Sequence, residues 1–147
     1  MFTVVIPVYN KQPHLERSIG SALRQTFQNF ELILIDDAST DRSFVEAERL
    51  ADERTRILKR DEPGPGGYAA RNLGVEHARG EWVAFLDADD EWHPEHLEEL
   101  ASLRTEVPDA HPAWSYSLHV PKKGEVKFII QRSIICLKEY IFNGELY

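Results

Sequence analysis

Cysteine is nearly absent from this sequence. Cys136 stands alone among 147 residues, which excludes an internal disulfide framework and a zinc cluster built on cysteines. A lone thiol fits a reducing compartment, so the expected location is the cytoplasm. Long hydrophobic runs are missing too. No apolar stretch approaches the ~18 residues of a membrane span, and Met1 opens directly into a strand-like segment, not a signal peptide. No transmembrane segment is expected, and peripheral membrane association stays open. Positive charge is scarce: 17 Lys and Arg stand against 25 Asp and Glu, a formal net charge of −8. A protein that grips a nucleic-acid backbone would be basic, so nucleic acid is not an expected partner. An acidic protein that handles a phosphate ligand needs help from a cation. Repeats, low-complexity tracts and linkers are also absent, which leaves a single domain over 1–147. With 42% apolar and 29% charged residues the chain is ordinary for a folded protein.

What is present alternates. Phe2-Thr3-Val4-Val5-Ile6-Pro7-Val8, Glu31-Leu32-Ile33-Leu34-Ile35-Asp36 and Trp82-Val83-Ala84-Phe85-Leu86 are mostly β-branched or apolar, with acids only at the two ends of the second. Runs of that kind read as strands covered on both faces, as in a parallel sheet. Pro7 belongs at the end of its strand, because proline cannot donate to a central ladder. Arg56-Ile57-Leu58-Lys59 is a shorter strand candidate. Between the strands lie helical stripes: Leu15, Ile19, Ala22 and Leu23 after Pro13; Phe44, Ala47 and Ala51; Ala70, Leu73, Gly74, His77 and Ala78, stopped by Gly80. Pro94 opens a further helix with Leu97, Leu100 and Ala101 facing inward. Pro63-Gly64-Pro65-Gly66-Gly67 is a loop that could close over a ligand or simply connect. Beyond Pro108 the pattern weakens to two strands, 113–118 and 126–130. Strands and helices in this order predict an α/β fold with a mostly parallel sheet.

In such sheets ligands bind beyond the carboxyl ends of the strands. Three of these ends carry chemistry: Pro7-Val8-Tyr9-Asn10, Asp36-Asp37-Ala38-Ser39 and Asp87-Ala88-Asp89-Asp90. Three carboxylates within four residues repel one another and call for compensation. A divalent Mg2+ or Mn2+ is the simplest answer, since these hard ions take carboxylate oxygens and often share a substrate phosphate. A solvated acidic turn at a helix start is the plainer alternative. Asp36-Asp37 reads as turn chemistry or as an acceptor for a base or sugar. Arg71 is a candidate phosphate or ribose contact. No G-x-G-x-x-G follows the first strand, which argues against a dinucleotide site. His93 and His96 lack a third ligand and read as helix-surface residues. Trp92 and Cys136 read as packing residues.

These segments together resemble glycosyltransferase family 2. The match runs through Val4-Val5-Ile6-Pro7-Val8-Tyr9-Asn10, Ser18-Ile19-Gly20-Ser21-Ala22-Leu23-Arg24-Gln25-Thr26-Phe27 and the run from Glu31 to Asp41. It continues through Ala70-Arg71-Asn72-Leu73-Gly74, Ala78-Arg79-Gly80-Glu81 and Phe85-Leu86-Asp87-Ala88-Asp89-Asp90, so residues 2–105 are covered and 106–147 are not. The resemblance implies a GT-A fold, a three-layer α/β/α sandwich, and transfer from a nucleotide-diphosphate sugar, most often a UDP-sugar, to a saccharide or lipid-linked acceptor. It implies a nucleotide site at Pro7, Val8, Tyr9, Asn10, Asp37, Arg71, Asp87 and Ala88, with Asp37 bonding the base. It places Mn2+ or Mg2+ on Asp89, with Asp87 beside it.

One family feature is missing. After Pro94 the acids are Glu95, Glu98, Glu99, Glu106, Asp109, Glu125, Glu139 and Glu145, and none sits in a recognisable base motif. The catalytic base is therefore unassigned. The chain stops where the acceptor half would be getting under way, so the expectation is a fragment, a truncated enzyme or a shortened protein. The competing expectation is a non-catalytic nucleotide-sugar-binding or interaction module. A third reading, a phosphoacceptor receiver domain, rests on acids at strand ends but needs the acidic pair after the first strand, not the second. A homo-oligomer paired through an unfinished sheet edge also stays open.

Overall fold

The computed structural model describes residues 1–64 and 67–106, and beyond them three strands, with side chains described through 102. In chain order the elements are β1 (Phe2–Val8), a short 3-10 turn (Gln12–His14), α1 (Leu15–Leu23), β2 (Phe30–Asp36), α2 (Ser43–Leu50), β3 (Thr55–Lys59) and α3 (Tyr68–Glu76). They continue with β4 (Trp82–Phe85), α4 (His96–Glu106), β5 (Trp114–His119), β6 (Lys127–Arg132) and β7 (Ile134–Cys136). The main sheet has the order β3-β2-β1-β4-β7. Its first four strands run parallel, and β7 joins antiparallel to β4. β5 and β6 form a separate antiparallel pair.

The apolar runs form central strands because both faces are covered. Val4, Ile6 and Val8 of β1 share one core with Leu32 and Leu34 of β2, Leu15, Ile19 and Ala22 of α1, Ala47 of α2, and Leu97 and Leu100 of α4. The alternate residues, Val5, Ile33, Ile35, Val83 and Phe85, pack with Ala70 and Val75 of α3 on the other face. The period of two in each strand thus sorts side chains into two cores. The result is the expected α/β/α layering. α3 comes very close to the sheet: a Cβ on Gly74 would lie 2.4 Å from Val5 Cγ1.

Some expectations shift. Pro7 is the penultimate residue of β1 and lies opposite Ile35. It is tolerated because the ladder with β4 stops at Val5, leaving one neighbouring strand beyond that point. α3 ends at Glu76, so His77 and Ala78 lie past the helix. Gly80 has a different job from stopping it: a Cβ there would fall 2.7 Å from the Phe2 carbonyl carbon and the Thr3 nitrogen. α2 ends before Ala51. Pro94 precedes α4 by two residues and does not open it. β7 had no signal in the sequence. Cys136 lies on β7 opposite Trp82, and its side chain is outside the described residues, as are Asp109, Glu125, Glu139 and Glu145 and residues 65 and 66 of the glycine-rich loop.

Candidate functional site

The strand order dictates where a ligand can enter. The chain leaves β1 through α1 on one face and moves out to β2 and β3. It then returns through α3 on the opposite face to β4, on the other side of β1. The order reverses between β1 and β4, and a switch of this kind opens a crevice beyond the carboxyl ends. All three acidic or polar strand ends do meet there. Val8 is in register with Asp36, the Asp37 N–H donates to the Val8 carbonyl at 2.8 Å, and the Leu86 N–H donates to that of Val5 at 3.1 Å.

Two rim loops are fastened to each other. Asn10 Oδ1 accepts the N–H groups of Thr40 at 2.8 Å and Asp41 at 3.2 Å, and the Asn10 N–H donates to Ser39 Oγ at 3.1 Å. The Lys11 N–H donates to Ser43 Oγ at 2.8 Å. Asn10 has φ 52°, a left-handed conformation that asparagine adopts readily. Ala38, two residues past β2, has φ 59° and no such aptitude. It stores backbone strain beside the rim carboxylates.

Each rim carboxylate meets a cation from another element. Asp37 is almost fully buried, forms an ion pair with Arg60 just past β3, and accepts the Gly64 N–H at 3.1 Å. Asp87 pairs with Arg71 on the first turns of α3. Asp89 accepts Lys11 Nζ at 2.6 Å, and its carbonyl accepts a guanidinium N–H of Arg17 on α1. The Lys11 hydrogen bond holds the Asp89 carboxyl below the usual carboxylate range, against partial burial that would raise it. The acidic turn was expected to need compensation, with a divalent cation as the simplest source, and part of that compensation comes from side chains of the chain itself. Lysine and arginine relieve it at Asp87 and Asp89, because the fold carries them in from α3 and from the loop after β1.

The segment that follows the acidic turn is held from α1 and the residues just past it. Buried Gln25 donates to the His93 carbonyl at 2.7 Å and accepts the Leu97 N–H at 2.8 Å, satisfying an orphan donor at the start of α4. The Trp92 N–H donates to Ser21 Oγ at 3.1 Å, and Thr26 donates to Glu98 at 2.7 Å. Trp92 is buried, as expected. His96 is not the surface residue expected. It is 7% exposed, and its ring lies 4.5 Å from that of Trp92. Burial, with a smaller push from His93, lowers its pKa to about 4. His93 is exposed and faces Glu95 at 2.5 Å.

Of the residues singled out in the sequence, Asp37, Arg71, Asp87 and Asp89 converge on the rim with Asn10. Tyr9 is 47% exposed there. Val8 and Ala88 have side chains in the core, so they offer the rim main chain only. Pro7 is half-buried. Sequence reasoning missed Lys11, Arg17 and Arg60. No spacing links Lys11 to a carboxylate 78 positions away; the one usable hint was that a cluster of aspartates in a fold needs cations near it.

The donor set suits a hard divalent ion. Asp87 and Asp89 offer carboxylate oxygens two residues apart, and Mg2+ commonly takes one or two carboxylates plus phosphates and water. Among the described residues no group of three or more His, Cys, Asp or Glu gathers to hold a metal unaided. No described helix is long and apolar enough to cross a membrane.

Known proteins resemble this chain in sequence and in fold. The sequence model of glycosyl transferase family 2 matches residues 3–111. Escherichia coli WfgD, named a UDP-Glc:α-D-GlcNAc-diphosphoundecaprenol β-1,3-glucosyltransferase, is 35% identical over 103 residues, covering 70% of this chain and 40% of WfgD. TarS 1–349 of S. aureus, solved with UDP, has a TM-score of 0.79 over 97% of this chain and 48% of that one, at 22% identity, a likeness of fold. The mannosyltransferase PcManGT of Pyrobaculum calidifontis, solved with GDP-Man and Mn2+, has a TM-score of 0.65 at 27% identity, covering 70% of this chain and 32% of that one. The chain spans only 36%, 30% and 47% of the length of three further curated relatives.

Proposed function

The chain belongs to glycosyltransferase family 2, and from that premise we propose that it forms the donor site of an enzyme moving a sugar from a nucleotide diphosphate to an acceptor hydroxyl. The observation that carries this reading is the meeting of Asp37, Asp87 and Asp89, with Arg71 and Lys11, beyond the ends of three parallel strands at the switch point. Asp37 would accept from the base and Asp87 from the ribose. Tyr9 would border the nucleoside. Arg71 and Lys11 bring positive charge to where a diphosphate must lie. Asp89, with Asp87, would hold Mn2+ or Mg2+, which when bound supplies Lewis acidity and charge neutralisation to the diphosphate.

UDP is the proposed donor nucleotide, since WfgD is named for UDP-Glc. PcManGT, solved with GDP-Man and Mn2+, supports the metal and makes GDP the competitor. A lipid-linked saccharide is the proposed acceptor class, as in the name of WfgD, on the cytoplasmic side of cell-surface glycan synthesis. Titration calorimetry with UDP, GDP and dTDP, each with and without Mn2+, tests this. Metal-dependent binding of one nucleotide is expected, lost in Asp89→Ala. Equal, negligible heats under all conditions would sink it.

A second reading is a donor-binding module without turnover by these residues. It is favoured by one of the downstream acids: Glu98 accepts the Thr26 hydroxyl in holding the segment after β4. Donor hydrolysis by this chain above the buffer rate would refute it.

A further inference from the structure

We propose that Lys11 is a built-in stand-in for the divalent cation: its ammonium occupies Asp89 in the ligand-free protein, keeps metal off the bare rim, and releases Asp89 when a diphosphate arrives to receive it. Nucleotide and metal then enter together. The inference rests on the function proposed above.

The geometry points to a contact made to be exchanged. Lys11 Nζ lies 2.6 Å from Asp89 Oδ2, with the two side chains 37% and 46% exposed. An ion pair so open to water is held weakly enough to swap partners. The main chain at both ends is fastened by other bonds. On one side the Lys11 N–H is held by Ser43 and the neighbouring Asn10 is clamped to Thr40 and Asp41. On the other, Arg17 holds the Asp89 carbonyl, and the Asp90 N–H closes a turn onto the Asp87 carbonyl at 3.0 Å. Breaking the pair therefore frees one flexible four-carbon stem and leaves both loops in place.

The pair also crosses the gap between the ends of β1 and β4, where the strand order reverses. Anything bound in that crevice meets it. A divalent ion arriving at Asp89 meets the repulsion of the ammonium already on that carboxylate. A diphosphate changes the balance, because it offers several anionic oxygens to the displaced ammonium and further oxygens to the metal. Lys11 would thus turn two independent binding events into one coupled event, with the coupling reciprocal between nucleotide and metal.

The test is Mn2+ binding followed by electron paramagnetic resonance of the free ion, on the wild-type chain and Lys11→Met, with and without UDP. The wild type is expected to bind Mn2+ poorly alone and well with UDP. Lys11→Met is expected to bind Mn2+ alone about tenfold more tightly, and to gain correspondingly less from UDP. Thermal melting of the two proteins should coincide, since the Lys11 stem is not part of the core. If Lys11→Met and wild type bind Mn2+ alike without nucleotide, while the wild type still binds UDP and Mn2+ together, the stand-in is wrong and the donor site survives. If the wild type binds neither UDP nor Mn2+ in combination, the donor-site reading falls, and the stand-in with it.

Discussion

The two ends of one sheet carry the same chemistry and use it differently. At the amino ends of the strands, Glu31 is buried in β2. Its Oε1 accepts the Thr3 hydroxyl at 2.8 Å and the Arg79 N–H at 2.6 Å, and its Oε2 accepts Arg56 of β3 at 3.2 Å. Arg56 also donates to the His77 carbonyl at 3.0 Å, and the Gly80 N–H donates to Thr3 at 2.9 Å. One carboxylate thus ties three strands to the loop that feeds β4. At the carboxyl ends, Asp87 and Asp89 pair with Arg71 and Lys11 in wetter surroundings. A carboxylate enclosed by hydroxyl, amide and guanidinium is part of the frame. One held by a side chain at a wet rim can trade that partner for a ligand.

The largest effect should come from breaking the enclosed end. Glu31→Ala leaves the Arg79 amide without its acceptor and Arg56 without its counter-charge, and is expected to cost about 3–5 kcal/mol in chemical denaturation. A loss below about 1 kcal/mol would erase the distinction between the two ends. Asp89→Ala, the rim counterpart, should leave stability within about 0.5 kcal/mol while removing metal-dependent nucleotide binding.

Acid offers a second separation. His96 is neutral when folded, with its pKa lowered to about 4 from 6.5. The unfolded chain binds the extra proton first, so stability is full above pH 6.5 and falls as pH drops toward 4. Between pH 7 and 5 the expected loss is about 2 kcal/mol. The Asp89 carboxyl, held low by Lys11, stays charged through that window, so the rim pair should survive while the packing under α4 weakens. His96→Phe should flatten the melting temperature across that range; an unchanged slope would exclude His96 as the cause.

The smallest effect tests strain. Ala38→Gly relieves a left-handed alanine and should stabilise the fold by about 0.5 kcal/mol in thermal melts. If the strain serves the rim, nucleotide affinity should fall in the same variant. Unchanged affinity would make the strain incidental.

The layered fold is legible in the sequence because burial on both faces leaves a local mark. The runs at Phe2–Val8 and Phe30–Asp36 have the composition of covered strands, and Pro7, Glu31 and Asp36, the residues that would compete with it, sit near their ends. Asp37, Asp87 and Asp89 are legible for a related reason, since each follows such a run. His96 escapes sequence reasoning because its burial depends on where α4 starts, and the Leu97 N–H at that start is held by Gln25, far away in the chain just past α1. Gly80 looks like a helix stop in the sequence, whereas its hydrogen in place of a side chain answers the approach of β1.

By itself the sequence determined which segments are strands, that the sheet is mostly parallel, and which carboxylates stand at its ends. Hydrophobic runs and the residues that terminate them are properties of neighbours along the chain. Only the tertiary structure decided that Lys11 faces Asp89, that Arg71 faces Asp87, that Arg60 covers Asp37, and that Glu31 serves the frame. Ion pairs form through space between side chains that any loop can deliver, and nothing in the order of residues records which cation the fold will bring to which carboxylate.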